Sequence, residues 1–168
     1  IMNLAIWDIE SSSASTDFGS IIEIGGVLVD ENFKEKDRFN LRCRLPEGEI
    51  FQAMALIVNK TSIKKLTQAN LSHYQMLAEV EKIFKKWSPA IFLGWSNIGF
   101  DDEMIRKEFF KGIRYPYLTN AAPNKRHDGI NIARAAYAVD PNILEVEFNE
   151  KNNAVFKLES LARMQGID

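Results

Sequence analysis

Asp8 and Glu10 end an apolar run near the amino end of the chain, Ile6-Trp7-Asp8-Ile9-Glu10. In a β-strand successive side chains point to opposite faces, so carboxylates on alternate residues share one face, about 6–7 Å apart. Two anions so placed repel each other. Burial and like charge would disfavour the two charges, and a bound divalent cation would reverse that balance and keep both groups ionised. The pair is therefore a candidate metal site, against the alternative of a strand end emerging into solvent. A second acidic group opens the stretch after Asn97-Ile98-Gly99-Phe100, where Asp101, Asp102 and Glu103 lead into Met104-Ile105-Arg106-Lys107-Glu108-Phe109-Phe110. Acids in the first turn of a helix favour the positive end of its dipole. That account covers two of the three and leaves one free for chemistry.

The flanking segments predict how these groups are held. Ser11 to Ser20 is rich in turn formers and reads as a loop, and Ile21 to Val29 reads as a buried strand. Asp30-Glu31-Asn32 supplies the turn of a hairpin. From Arg38 to Leu45 the alternation puts Phe39, Leu41, Cys43 and Leu45 on one face and Arg38, Asn40, Arg42 and Arg44 on the other, as in a half-buried antiparallel strand. Its arginine row faces either solvent or phosphate. After Pro46-Glu47-Gly48 the chain looks helical, with short interruptions, to Trp87; Ser62 is a candidate N-cap, and Tyr74, Leu77, Val80, Ile83, Phe84 and Trp87 keep helical spacing, with Lys82, Lys85 and Lys86 on the wet side. Ala90 to Trp95 is a short buried strand, Tyr115 to Lys125 a loop, and Asp128 a candidate N-cap for a helix from Ile130 to Val139. Asp140 to Asn153 is polar and protruding, and Phe156 to Met164 reads as a last short helix. The order of elements is that of an α/β protein.

With 168 residues, 46% hydrophobic and 26% charged, the composition suits one domain with a substantial core. No run approaches the ~18 apolar residues of a membrane helix, and no basic segment followed by an apolar core opens the chain, so a cytoplasmic protein is expected. The single cysteine, Cys43, excludes an internal disulfide and reads as a small core residue. A net charge of -2 gives no overall pull toward nucleic acid and argues against a passive DNA-coating protein, so such a partner must be held by local basic groups or by metal.

These residues resemble the DEDD 3′-to-5′ exonucleases, which have an RNase H-like fold. Asp8 and Glu10 match the first motif, Asp-x-Glu at the end of the first strand, and Asn97 and Asp101 match the second, Asn-x-x-x-Asp opening a helix. Within the superfamily the chain looks most like the bacterial exodeoxyribonuclease I family. The likeness runs through Gly94-Trp95-Ser96-Asn97-Ile98-Gly99-Phe100-Asp101-Asp102-Glu103, Arg106 and Phe109, then Tyr115-Pro116-Tyr117, Asp128, the run from Ala133 to Ala138, and Phe156 to Ala162. The resemblance implies a mixed central sheet flanked by helices. It also implies two Mg²⁺ or Mn²⁺ ions at the scissile phosphate, with Asp8 bridging them, Glu10 on the ion that carries the nucleophilic water, and Asp101 completing the second site. Hard oxygen ligands suit those metals, and an anionic phosphodiester needs cations to neutralise charge and lower the pKa of the attacking water. Single-stranded DNA is the implied substrate, 5′-mononucleotides the product, and Ser11, Leu56, Ile57, Asn97 and Phe100 the residues near the nucleotide.

Departures from the family pattern set further expectations. The third motif, His-x-x-x-x-Asp, supplies a general base and a fourth carboxylate, and it does not occur before Asp168. Residues 1–168 are thus expected to form a catalytic domain that lacks its last motif-bearing helix and any carboxy-terminal domains, and to be inactive or nearly so by themselves. His73 and His127 do not fit that motif. Ser11 stands where the family has threonine, and Asn59-Lys60-Thr61 stands where it has a Thr-Gly-Ile turn near the terminal nucleotide. Three rival readings stay open: an exoribonuclease or proofreading exonuclease of the same superfamily, a non-catalytic nucleic-acid-binding or scaffold domain, and an unrelated metal hydrolase, which leaves the Asn97 to Asp101 spacing unexplained.

Overall fold

A computed structural model describes residues 2–167. Its centre is a mixed sheet of five strands in the order β3-β2-β1-β4-β5. These are β1 (Asn3–Ser11), β2 (Ile21–Val29), β3 (Glu35–Arg42), β4 (Ala90–Gly94) and β5 (Lys125–Asp128). The β1-β2-β3 meander is antiparallel, while β4 runs parallel to both β1 and β5. The alternation along β1 decides which side chains go where. Ala5, Trp7 and Ile9 are buried, whereas Ile6 and Asp8 are exposed and Glu10 is half-buried. This is the α/β arrangement expected of the residues, with both acids of the first motif on one face.

Helices cover the sheet. Helix α3 (His73–Trp87) begins at a capping box, in which the Ser72 hydroxyl accepts from the Gln75 amide and the Gln75 side chain accepts from the Ser72 amide. It buries Met76, Leu77, Val80, Phe84 and Trp87 against the strands. Phe84 is the hub, lying edge-on to Trp7 at 5.6 Å and to Phe92 at 4.9 Å. Tyr74, at helical spacing with the core residues, is instead exposed, and Met76 takes the buried position. Tyr74 has another use, since the Arg114 guanidinium stacks over its ring at 4.6 Å. Lys82 and Lys85 pair with Glu79 and Glu81 within the helix, and Lys86 pairs with Asp37 of β3, so each lysine of this wet face has an acid partner.

The remaining elements differ from the sequence pattern in instructive ways. Strand β3 starts and ends about three residues earlier than the alternation suggests, and Cys43 follows it as an isolated bridge to Leu71. Cys43 is fully buried, and burial pushes its thiol up to about 12. Strand β5 falls where Lys125-Arg126-His127-Asp128 gave no strand signal, because it is a short edge strand facing solvent on one side. The polar stretch from 140 to 153 ends in a small hairpin, β6 (Glu147–Phe148) with β7 (Ala154–Val155). Two short helices, α1 (Ala53–Val58) and α2 (Ile63–Thr67), precede α3, and the Ser62 hydroxyl caps α2 by accepting from the Lys65 amide. Helices α4 (Asp101–Lys111), α5 (Gly129–Val139) and α6 (Leu158–Met164) complete the fold. Among the described residues no helix is long and apolar enough to cross a membrane.

The two histidines have separate environments. His73 is largely buried with its Nε2 at 3.5 Å from Glu108, but burial lowers the pKa of the imidazole and raises that of the carboxyl, which works against a charged pair. His127 is exposed on β5.

Candidate active site

Three elements converge on the carboxylates. β1 carries Asp8 and Glu10 on its open face, and a β-bulge at Glu10/Ser11 ends its regular pairing with β2. After β4 the chain turns sharply through Gly94-Trp95-Ser96-Asn97 into α4. Asn97 folds back so tightly that a Cβ on Gly94 would lie 2.6 Å from the Asn97 Cβ, so only glycine fits there. The turn delivers Asp101 as the first residue of α4.

Asp101 is buried, and one of its oxygens accepts from the Ile9 amide at 3.3 Å, which ties the start of α4 to the middle of the acidic strand. Burial and then the Asp8 carboxylate lying against it push the Asp101 carboxyl up to about 7. Burial likewise raises Glu10, with Asp8 and Glu23 adding to the effect and Arg42 opposing it. The structure thus brings Asp8 against Asp101 and sets Glu10 beside Asp8. Among the described residues no three His, Cys, Asp or Glu side chains close on one point as a ready-made metal cage. The donor chemistry still fits a hard divalent cation. Two carboxylates held together at the cost of a strongly raised pKa are what a bound cation would relieve.

The neighbouring acid, Asp102, has a different role. It is buried, accepts from the Thr119 hydroxyl at 2.9 Å and from the Asn97 amide nitrogen at 3.1 Å, and lies 3.9 Å from Arg126. Burial raises its pKa while Thr119 and Arg126 lower it. Asp101 faces the strand and Asp102 faces the loop before β5. Asn97 is only 1% exposed, so its side chain braces the turn from inside rather than facing the open site. Glu103 pairs with Arg106 on the surface of α4.

Beside the acids lies a cavity of about 290 Å³ lined by Ile9, Glu10, Ser11, Met54, Ala55, Val58, Asn59 and Phe100, among others. Ser11 and Phe100 are where the sequence places them. The Ser11 hydroxyl is turned to the Ser13 carbonyl, and its own carbonyl accepts from the Asn59 amide at 2.8 Å. Leu56 and Ile57 do not line the cavity; Met54, Ala55 and Val58 do, because positions one turn apart on α1 share a face. That spacing, with the pinned Asn59, was the available signal.

Lys60, just past α1, has a φ of 48°, so this lysine takes the left-handed conformation that glycine adopts at no cost. Its side chain is exposed. Lys60→Gly is therefore expected to leave the melting temperature unchanged within a few degrees, strain relief offsetting the added freedom of the unfolded chain. Lys60→Val is expected to destabilise by about 1–2 kcal/mol, since a β-branched residue tolerates this φ poorly. Equal melting curves for the two variants would contradict the left-handed turn.

No family model matches the chain. Exodeoxyribonuclease I of Buchnera aphidicola (subspecies Schizaphis graminum) is 23% identical over 168 residues, covering 99% of this chain and 35% of that protein. Exodeoxyribonuclease I of Haemophilus influenzae is 23% identical over 165 residues, covering 97% of this chain and 35% of its own length. The crystal structure of Escherichia coli exonuclease I with a dT13 oligonucleotide superposes with a TM-score of 0.91 at 21% identity, covering 100% of this chain and 36% of that one. The chain is related to exodeoxyribonuclease I. It spans about a third of the length of these exonuclease I relatives, and over that span it has the fold of the E. coli structure.

Proposed function

We propose that residues 1–168 are the nuclease part of a metal-dependent 3′-to-5′ exonuclease that removes 5′-mononucleotides from single-stranded DNA. The observation that carries this reading is the contact of Asp8 with the buried Asp101, beside Glu10 and at the edge of the cavity under α1. Asp8, Glu10 and Asp101 are the residues that would hold Mg²⁺ or Mn²⁺, and two such ions would supply charge neutralisation and an activated water at the phosphate. The chain's own residues then do the positioning. The Ile9 amide fixes Asp101, and the Asn97 turn fixes the start of α4. The apolar walls formed by Ile9, Ala55, Val58 and Phe100 match the size and character of a terminal nucleoside. Single-stranded DNA is favoured over RNA by the relationship to exodeoxyribonuclease I and by the dT13 strand in the related E. coli structure.

The test is a side-by-side digestion of 5′-labelled oligothymidylate and oligouridylate by the native protein, with Mg²⁺, with Mn²⁺ and with EDTA. The expected result is a ladder shortening from the 3′ end on DNA, abolished by the chelator. Preference for RNA would overturn the substrate, and digestion that survives EDTA would overturn the metal.

A further inference from the structure

The arginine row at and just beyond the third strand divides into three in the folded protein. Arg38 is held by Glu35 of its own strand, and Arg44 donates to the carbonyl oxygens of Ala69 and Asn70 at 3.0 and 2.9 Å. Arg42 alone opens onto the acids. The register of β1, β2 and β3 aligns Glu10 with Glu23 and Glu23 with Arg42, and one step along it aligns Asp8 with Gly25 and Gly25 with Asn40. Gly25 places no side chain between Asp8 and the third strand. The result is a polar cavity of about 350 Å³ lined by Asp8, Glu10, Glu23, Asn40, Arg42 and Asn59, with Ile9 and Gly25 at its floor.

Arg42 is the one cationic side chain among the described residues lining that cavity. Its Nε donates to Glu23 Oε2 at 2.8 Å and its Nη2 donates to the same oxygen. A guanidinium carries five N–H groups, so this fork engages two and leaves the outer edge free. The side chain is 32% exposed and Glu23 17%, which makes the pair a minor source of stability but a well-oriented one. Asp8, Glu10 and Glu23 by themselves would repel a phosphodiester. A fixed arginine beside them supplies a planar donor of the kind that matches phosphate oxygens.

We propose that Arg42, oriented by Glu23, is a substrate-binding residue whose free guanidinium edge donates to a non-bridging oxygen of the nucleic-acid phosphate lying over Asp8 and Glu10. This rests on the exonuclease reading above. Glu23 is a positioning residue; it holds the guanidinium and does not itself touch the strand.

The experiment is fluorescence anisotropy of labelled oligothymidylate on the native protein with Ca²⁺ in place of Mg²⁺, titrated over a range of salt. Arg42→Ala is expected to weaken binding about tenfold and to flatten the dependence of log K on log salt by about 0.7, the loss of one phosphate contact on a single strand. Arg42→Lys is expected to keep the salt slope, and Arg38→Ala, on the same row but paired outside the cavity, to change neither. If Arg42→Ala lowers the melting temperature, the double variant Glu23→Gln with Arg42→Gln, which leaves no unpaired acid, must give the same loss of binding. Binding by Arg42→Ala equal to the parent, or an equal loss in Arg38→Ala, would overturn the role of Arg42 alone. A parent protein that binds no oligonucleotide would overturn the exonuclease reading with it.

Discussion

Asp8→Ala and Asp101→Ala are each expected to lower turnover of the native protein by at least about a thousandfold while leaving it folded. The rate follows from the work assigned to the pair. Charge neutralisation by metal at a transferring phosphate is worth several kcal/mol of transition-state stabilisation, and each 1.36 kcal/mol is a factor of ten. The stability follows from the site's electrostatics. Asp101 is buried against a second carboxylate and its pKa stands at about 7, so ionising it in the metal-free protein disfavours the fold. At pH below its ordinary value of 3.8 both folded and unfolded chains hold the proton and the group has no effect. Between there and about 7 the unfolded chain releases the proton while the folded one retains it, so stability falls as pH rises and the full loss is reached above 7. The loss is on the order of a few kcal/mol. Melting curves in EDTA at pH 5 and pH 8 should therefore differ for the parent, and that part of the difference should vanish in Asp101→Asn. Single-turnover digestion of labelled DNA measures the other half. Activity retained in either alanine variant would remove that residue from the proposed ligands, and an unchanged pH slope in Asp101→Asn would contradict the Asp8–Asp101 repulsion.

How much of this was legible in the sequence depended on whether the signal was local. The face shared by Asp8 and Glu10 follows from the period of two along a strand, and the buried Ala5, Trp7 and Ile9 on the opposite side fix it. Helix-dipole chemistry left one acid of the cluster opening α4 unexplained, and the resemblance to the Asn-x-x-x-Asp motif singled out Asp101; which neighbour took which role depended on Thr119 and Ile9, far away in the chain. The residues of α1 are apolar throughout, Ala53-Met54-Ala55-Leu56-Ile57-Val58, so the sequence does not say which side meets the cavity; the pinning of Asn59 on the Ser11 carbonyl decides for Met54 and Val58 over Leu56 and Ile57. β5 was invisible because four polar residues on a sheet edge carry no alternation. The alignment of Glu10, Glu23 and Arg42 is a matter of strand register, set by the β1–β2 loop, the β2–β3 hairpin and the faces each strand buries.

Asp128→Ala is expected to be the most damaging substitution outside the acids of the site, with a stability loss of about 2–4 kcal/mol and a melting temperature lower by roughly 6–12 °C. Asp128 is buried at the end of β5. Its carboxylate accepts from the Ile130 amide at 3.1 Å, which caps α5, and also from the Ser96 amide at 2.8 Å and the Ile98 amide at 3.4 Å across the turn after β4. One side chain thus satisfies three backbone donors on two segments, and alanine leaves all three without that partner. Ser96 makes the dependence sharper, because its φ of 59° is a left-handed conformation that serine holds only where its surroundings enforce it. Released from Asp128, the turn can relax toward ordinary backbone angles, and Asn97 and the start of α4 move with it. Asp101 would then leave its contact with Asp8 without having been touched. Activity should accordingly fall further than the fraction unfolded explains, measured at a temperature where the variant is still folded by circular dichroism. Asp128→Asn keeps one acceptor oxygen and should lose about half as much stability. An Asp128→Ala protein that melts with the parent, or that stays fully active when folded, would show that the turn is held by its own packing and not by this carboxylate.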